Sequence, residues 1–279
     1  MMAIASHPLK VYGGKGYLAS RIIAMMPPHV HYVEPYAGGL AVLLEKPDEL
    51  IDGHSEVVND INEELATFWW VLRSELYFDV LKRMVEATPF SQAEWELSQK
   101  APLGGDRILR AYRFFIKARQ SREGKCKDFA TLSRNRTRRG MNEQASAWLS
   151  AIEGLPAVHE RLKRVVILND EAINVIRSQD GENTLFYCDP PYLHETRVST
   201  DDYEYEMTPE QHEDLLSALS TIRGKFMVSG YRSEMYDAAA QKHGWCRTDF
   251  EIDIKASNAK KKSKRTECVW TNFEPKVTG

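Results

Sequence analysis

The sequence has few of the features that mark secreted, metal-binding or membrane proteins. Its 279 residues include only four cysteines, and because no two form a CxxC pair, neither a zinc site nor a disulfide framework is predicted. No apolar run reaches membrane-spanning length, and the amino-terminal stretch lacks the hydrophobic segment of a signal peptide. We therefore expect a soluble, cytoplasmic protein with reduced thiols and no metal ion.

Two glycine-rich signatures of nucleotide-binding proteins are incomplete. The segment 12–16, YGGKG, has glycine where a P-loop needs Ser or Thr after the lysine, and only a short segment precedes it. We expect either a flexible turn that presents Lys15 to a carboxylate or phosphate, or a simple loop. The turn at 37–39, AGG, does not complete a GxGxxG pattern, although it follows a predicted strand.

Acidic residues are scarce in one part of an otherwise acidic chain. The stretch from Arg107 to Arg139 contains twelve Lys or Arg residues and only two acidic residues, Glu123 and Asp128, so its net charge is +10. Since the whole chain carries −3, the remainder carries −13. A second basic run, at 255–265, contains six more Lys or Arg residues. This asymmetry favours an anionic partner, most often nucleic acid, over a solvated helix face.

The predicted elements indicate an α/β protein that carries a helical insert. Strands are predicted at 31–34, 57–60, 164–168, 184–188, 225–230, 246–254 and 266–273. Helices that alternate with them are predicted at 16–26, 39–46, 61–73, 171–178, 208–222 and 233–241. This alternation is typical of a Rossmann-like, mostly parallel sheet with helices on both faces. The stretch 75–156 lacks it and is predicted to form helices at 79–87, 91–99, 106–119 and 142–152, with a basic loop at 120–140.

A glycine turn and an acidic residue follow the first two predicted strands. Glycines between a strand and a helix let a ligand approach the backbone closely. Asp60 lies 21 residues beyond Gly39, at the end of the next strand, where an acidic side chain can hydrogen-bond ribose hydroxyls. Asp60 could also cap the helix predicted at 61–73, and the two roles are compatible.

The segment Asp189-Pro190-Pro191-Tyr192 ends a buried strand, since two prolines cannot donate to a sheet ladder. Such a turn suits methylation of the N6 amine of a flipped adenine, whose lone pair is delocalised into the ring. Asp189 and the Pro190 carbonyl could accept its two N–H groups and localise that lone pair, while Tyr192 could stack on the base. Positioning and electrostatics then suffice, and Cys188 is expected only to pack.

Together these motifs resemble the Dam-like (D12 class) DNA adenine N6-methyltransferases, which use S-adenosylmethionine. The similarity runs nearly end to end and includes YGGKGYLASRI, YVEPYAGGLAVLLEK, VVNDINEELATFWWVLR, LFYCDPPY, VSGY and ECVWTNF. The order of the motifs also matches that family. The resemblance implies a catalytic domain from 1–74 and 157–279, and a target-recognition domain at 75–156.

The resemblance also implies residue roles. The catalytic residues are expected to be Asp189, Pro190, Pro191 and Tyr192. The expected cofactor-binding residues are Tyr12, Gly14, Lys15, Glu34, Pro35, Ala37, Gly38, Gly39, Asp60, Asp170, Glu171 and Asp189, with the choice between Asp170 and Glu171 open. From the two basic regions, the expected DNA-binding residues are Arg113, Lys117, Arg119, Arg122, Arg134, Arg136, Arg138, Arg139, Lys261 and Lys262.

Two other functions fit parts of the same pattern. A cytosine N4-methyltransferase needs the same localisation of an amine lone pair. In the related methyltransferases, however, cytosine specificity is associated with Ser at the position of Asp189. A catalytically inactive DNA-binding protein predicts damaged cofactor or DPPY motifs, and these motifs are intact. The expected partner is double-stranded DNA, bound by a monomer or a homodimer. The sequence leaves open the recognition site and whether a restriction enzyme accompanies this protein.

Overall fold

The fold is built around one mixed β-sheet. The computed structural model describes residues 7–10, 13–100, 105–193, 205–253 and 264–276. The strands are β1 His31–Glu34, β2 Ser55–Asn59, β3 Thr137–Arg138, β4 Met141–Asn142, β5 Val165–Leu168, β6 Thr184–Cys188, β7 Lys225–Tyr231, β8 Cys246–Asp253 and β9 Lys264–Thr271. Seven of them form a sheet in the order β5-β2-β1-β6-β7-β9-β8. The first five in that order pair in parallel, and β9 is antiparallel to β7 and β8. The predicted mostly parallel α/β sheet is confirmed.

Helices cover both faces of this sheet. They are α1 Ala19–Ala24, α2 Ala41–Glu45, α3 Glu63–Arg73, α4 Glu75–Glu86, α5 Gln92–Lys100, α6 Arg107–Arg119, α7 Glu143–Leu162, α8 Ala172–Gln179, α9 Pro209–Leu219 and α10 Glu234–His243. Successive strand residues point to opposite faces. Tyr32 and Leu185 therefore join one core with α1 to α7, whereas Val33 and Phe186 join a second core with α8 to α10.

Capping residues explain where several helices begin. Thr208 forms a capping box with Gln211 and Pro209 follows it, so the predicted start of α9 is confirmed. The helix predicted from residue 61 begins instead at Glu63, because the Asn62 side chain accepts hydrogen bonds from the first free backbone N–H groups.

The helices of the 75–156 stretch pack on the sheet domain through α3. The Phe68 ring stacks on Phe115 of α6 at a centroid distance of 5.6 Å, and Phe115 in turn contacts Trp148 of α7. Helix α7 extends ten residues beyond the predicted end at 152, since its buried apolar face continues to Leu162 despite Pro156. The proposed domain boundary at 156/157 therefore falls inside a helix, and the division into domains remains a prediction.

The segment predicted as a basic loop, 120–140, contains ordered structure. A short 3-10 helix spans Arg122–Gly124, and β3 pairs with β4 in a two-residue hairpin. Its turn residues Arg139 and Gly140 both have positive φ, which is the geometry of a tight hairpin turn and suits glycine at the second position. The Arg139 guanidinium donates to both carboxylate oxygens of Glu153 on α7, at 2.8 and 2.9 Å.

A buried ion cluster joins α7 to the sheet. Arg161 donates to both carboxylate oxygens of Glu56 on β2, at 2.6 and 2.7 Å, and Lys46 donates to the same carboxylate at 2.8 Å. Burial disfavours the charged form of Glu56, but the hydrogen bonds and charges of Arg161 and Lys46 outweigh it and lower the pKa of this carboxyl group. The sequence pattern gave no indication of the cluster, because its members lie on three separate elements.

We expect Arg161→Met to lower the free energy of unfolding by about 3 kcal/mol, since it leaves the buried Glu56 carboxylate with one cation instead of two. Urea titration followed by circular dichroism measures the loss. The control is Arg164→Met, whose partner Asp52 is exposed, and its expected cost is below about 1 kcal/mol. Equal losses in the two variants would contradict the role of the buried cluster.

Within the ranges that the structure describes, no helix combines the length and apolar character needed to cross a membrane.

Candidate active site

A cavity of about 430 Å³ opens at the carboxyl ends of the parallel strands. It lies where the strand order reverses, because the chain moves from β1 to β2 and β5 on one side and from β6 to β7 on the other. Ligands of open α/β sheets bind at such a position. The lining includes many of the residues expected to bind a cofactor: Gly14, Lys15, Glu34, Pro35, Ala37, Gly38, Gly39, Asp60, Glu171 and Asp189.

The glycine turn after β1 is anchored by hydrogen bonds to Asp60, which directly follows β2, and to Trp69 on α3. Asp60 accepts from the Gly38 N–H at 2.9 Å and from the Asn62 N–H at 3.0 Å, and the Trp69 indole donates to the Gly38 carbonyl. Gly38 has φ +47°, a conformation that side chains disfavour. Asp60 therefore lines the pocket and anchors the turn, whereas the helix cap is Asn62, so the alternative role of Asp60 as the cap is wrong.

Asn59, which the motif analysis missed, connects three loops at the pocket edge. Its buried amide donates to the Pro35 carbonyl at 3.0 Å and to the Asp170 carbonyl at 2.9 Å, and its oxygen accepts from the Asp170 N–H. A single side chain thus fixes the carboxyl ends of β1, β2 and β5 relative to one another. A polar residue at the end of an otherwise apolar strand was the available signal.

The choice between Asp170 and Glu171 as a cofactor ligand is narrowed by their surroundings. The Asp170 carboxylate turns back to the start of α8, where Oδ1 accepts from the Glu171 N–H at 2.7 Å and the Asn174 amide at 3.2 Å. Glu171 lines the cavity. This placement favours Glu171 for a ligand contact.

Glu34 places a carboxyl group with an unusual pKa in the pocket wall. It is buried at the end of β1, and its Oε1 accepts a hydrogen bond of 2.7 Å from the Tyr32 hydroxyl. Burial raises the pKa of Glu34 to about 8, although the hydrogen bond from Tyr32 and the charge of Lys46 oppose the shift. Glu34 is therefore poised to lose a proton when a cation arrives nearby.

Lys15 places a buried cation beside Asp189. Its Nζ lies 2.8 Å from Asp189 Oδ1 and 3.2 Å from Glu267 Oε1, and it donates to the Gly13 carbonyl at 3.0 Å. This placement favours the expected turn that presents Lys15 to a carboxylate over a simple loop. Burial raises the pKa of Asp189, and Lys15 opposes that shift. The Asp189 side chain retains 21% exposure, which is directed to the cavity it lines.

Tyr192 of the same tetrapeptide lies behind the pocket wall. Only 5% of Tyr192 is exposed, its hydroxyl donates to Glu267, and its ring packs below Lys15 and edge-on to Tyr231. Pro191 lines the cavity, while Cys188 is fully buried among apolar residues, and burial raises the pKa of its thiol well above the usual value. Cys188 is thus placed for packing.

Comparison of the sequence with known protein families identifies the family of this chain. Residues 12–249 match the family described as D12 class N6 adenine-specific DNA methyltransferase, which covers most of the chain. The chain belongs to this family. Its resemblance to the D12 class is therefore confirmed, and the protein is an S-adenosylmethionine-dependent DNA adenine methyltransferase.

No curated protein matches the sequence. A solved structure of a candidate RNA methyltransferase from Pyrococcus horikoshii aligns with a TM-score of 0.38 and 10% identity, covering 97% of this chain and 89% of that one.

The pocket residues fit the cofactor that D12 membership implies. S-adenosylmethionine carries a sulfonium, an ammonium group and ribose hydroxyls, and the cavity offers carboxyl groups at Glu34, Asp60, Glu171 and Asp189. Cationic groups and hydroxyl donors pair with such acceptors. Tyr12, also expected to bind the cofactor, lies outside the described residues.

The arginines and lysines expected to bind DNA fall into distinct surroundings. Arg122, Arg134, Arg136 and Arg138 are exposed on the segment 120–140, while Arg113 and Lys117 are half-buried on α6. Arg119 donates to the Ala147 carbonyl between α6 and α7, and burial lowers its pKa to about 10. This placement favours a structural role for Arg119. Lys261 and Lys262 lie outside the described residues.

Proposed function

We propose that this enzyme methylates N6 of an adenine flipped out of double-stranded DNA at a specific sequence, by direct in-line displacement. The observation that carries the proposal is the position of Asp189. Its carboxylate opens into the same cavity as the glycine turn of Gly38 and the Asp60 carboxylate. A methyl donor held by that turn would therefore lie next to an acceptor for the N–H groups of the substrate amine.

The chain contributes orientation and electrostatics to this reaction. Asp189 accepts a hydrogen bond from one N6–H, and the Pro190 carbonyl accepts from the other, so the nitrogen lone pair is directed to the methyl carbon. S-adenosylmethionine supplies a methyl group on a sulfonium, which leaves as a neutral thioether with the electrons of the broken C–S bond. The N6–CH3 bond forms from the nitrogen lone pair, and the surplus N6 proton passes to Asp189 or water.

Tyr192 was expected to stack on the flipped base. In this structure its ring contacts Lys15 and Tyr231 instead of the cavity. Stacking on a base therefore requires the ring to turn towards the pocket, and this role remains a prediction.

Cofactor binding is expected to release a proton from Glu34 near neutral pH. With a pKa of about 8, raised mainly by burial, Glu34 is largely protonated there, and a bound cation favours its ionised form. Affinity should therefore rise as the pH approaches about 8. Titration calorimetry in buffers of different ionisation enthalpy measures the released proton, and Glu34→Gln should abolish the release. Identical heats in all buffers would contradict this coupling.

Base readout is proposed to come from exposed arginines of the segment 120–140. Alanine substitution of a phosphate contact should weaken binding to every sequence and reduce the salt slope by about one unit, whereas loss of a base contact should cost about 1–3 kcal/mol at the cognate site alone. We expect at least one variant among Arg134, Arg136 and Arg138 to show the second pattern. Arg139→Ala is the comparison, since Glu153 already engages its guanidinium.

The proposed readout is tested by titrating cognate and scrambled duplexes over a range of salt concentrations. If the alanine variants of Arg134, Arg136 and Arg138 all lowered affinity uniformly across sequences, readout would lie elsewhere, for example in the lysine-rich run at 255–265.

The proposed function itself is tested by product identification. Duplex DNA is incubated with a methyl-labelled donor, digested to nucleosides and separated by chromatography. N6-methyladenine at one sequence context supports the proposal. N4-methylcytosine would replace it with the alternative amine, and DNA binding without label would indicate an inactive DNA-binding protein.

A further inference from the structure

Glu267 is a buried carboxylate that no catalytic motif explains. It lies on β9, at the far end of the sequence from Lys15, and only 1% of its side chain is exposed. Its Oε1 accepts from the Tyr192 hydroxyl and lies 3.2 Å from Lys15 Nζ, while its Oε2 accepts from the Tyr17 hydroxyl. A cation and two hydroxyl donors satisfy the hydrogen-bonding capacity of this buried carboxylate, so its position is well defined.

Glu267 and Asp189 share one cation. Lys15 Nζ lies within 2.8 Å of Asp189 and 3.2 Å of Glu267, and its own side chain is only 4% exposed. The negative charge of Glu267 offsets part of the effect that the Lys15 cation has on Asp189, and this offset is appreciable because the three groups lie in a poorly solvated region.

Glu267 can affect the substrate only through its neighbours. Asp189 is the cluster member with appreciable exposure to the cavity, at 21%, while Glu267 and Tyr192 are not part of the lining formed by the described residues. Glu267 therefore lies on the side of Asp189 away from the cavity, and Asp189 is the carboxylate proposed to contact the substrate amine.

We propose that Glu267 is a positioning residue for methyl transfer, which holds Lys15 and Tyr192 behind Asp189 and sets how strongly the Asp189 carboxylate accepts a hydrogen bond. This inference rests on the proposed function. With Glu267 present, Lys15 neutralises Asp189 only partly, and Asp189 remains a strong acceptor for the N6–H group. Without the Glu267 charge, Lys15 pairs with Asp189 alone and weakens it as an acceptor.

The charge of Glu267 also affects the protonation of Asp189 in a defined direction. Burial is the main cause of the raised pKa of Asp189, Lys15 opposes it, and the like charge of Glu267 adds to it. Removing that charge should therefore lower the pKa of Asp189. The titratable groups that surround Asp189 are Lys15, Glu267, Tyr192, Tyr17, Glu34, Tyr187 and Cys188.

The test is the pH profile of Glu267→Gln on cognate duplex DNA. We expect kcat to fall about tenfold with KM changed by less than about twofold, because the interaction lost acts in the transition state. The acid limb of the kcat/KM profile should move to lower pH by about half a unit or more. Glu267→Asp keeps the charge, so its acid limb should stay at the wild-type position even if kcat falls.

Two further variants distinguish the proposed role of Glu267 from a general effect of substitution on the fold. Glu251→Gln removes an exposed carboxylate from the neighbouring strand β8 and should leave both kcat and the pH limb unchanged. Tyr17→Phe removes one hydroxyl donor to Glu267 from a residue that is 53% exposed, so it should fold normally. We expect it to lower kcat about threefold at unchanged KM.

Several outcomes would overturn the inference. A wild-type kcat in Glu267→Gln would overturn it. An equal loss of kcat in Glu267→Gln and Glu267→Asp, with the acid limb unshifted in both, would also overturn it, because that result indicates a role in packing alone. If both variants fail to fold, wild-type kcat in Tyr17→Phe overturns it. Failure of the proposed function is seen separately, since the wild-type enzyme would then yield no N6-methyladenine.

Discussion

Asp189→Asn is expected to reduce methyl transfer by at least about a hundredfold, which is the usual cost of losing one preorganised electrostatic partner in a transition state. The amide is nearly isosteric, but it has no charge and presents an N–H group where the substrate amine needs an acceptor. The variant should still bind DNA, because the exposed arginines on the segment 120–140 are untouched. Single-turnover transfer of labelled methyl groups, with saturating enzyme, isolates the chemical step from product release.

The matched control for Asp189→Asn is Asp214→Asn, the same change at an exposed position of α9. It should leave the rate unchanged. Thermal melting of each variant, followed by circular dichroism, verifies that the fold persists. Activity of Asp189→Asn within a few-fold of wild type, in a folded protein, would refute the role of this carboxylate in localising the lone pair.

Asp60→Ala is expected to weaken cofactor affinity by about ten- to a hundredfold. The change removes a carboxylate that lines the pocket and that also accepts from the Gly38 N–H, so the turn loses an anchor and the cofactor loses an acceptor. Hydrogen bonds to charged groups contribute about 1.5–3 kcal/mol each, which supports a loss of that size. Titration calorimetry with the donor in the absence of DNA measures the effect directly.

Asp106→Ala provides the comparison for Asp60→Ala. Asp106 caps α6 by accepting from two backbone N–H groups, as Asp60 also does, but it does not line the cavity. We expect it to lower stability by about 1 kcal/mol and to leave cofactor affinity unchanged. If Asp60→Ala also left the dissociation constant unchanged, Asp60 would be only a structural anchor for the glycine turn.

Much of the fold followed from local patterns. The alternation of apolar runs with amphipathic segments predicted every strand of the seven-stranded sheet, because strand and helix periodicities are properties of short stretches. The boundaries were less accurate where a cap decided them, as at Asn62, or where a buried face continued past a proline, as at Pro156 of α7. The hairpin of β3 and β4 was missed, since its strands are only two residues long.

The site was predictable only in part. The glycine turn, Asp60 and Asp189 each follow a strand, and parallel strands bring their carboxyl ends to the same edge of a sheet, so their convergence could be expected. Asn59 and Glu267 could not be assigned a role in the same way. Asn59 acts through backbone groups of two other loops, and Glu267 acts through Lys15 and Tyr192.

By itself, the sequence determined the α/β class, the order of the motifs and the membership of the D12 methyltransferase family. Those features are encoded in spacings of a few residues, which periodicity and turn chemistry fix locally. Only the tertiary structure decided which cations face the solvent and which are buried, as Arg161 is, and which carboxylates share Lys15. These outcomes depend on contacts between residues far apart in the chain, and the burial that makes such contacts strong exists only after the sheet and its helices have packed together.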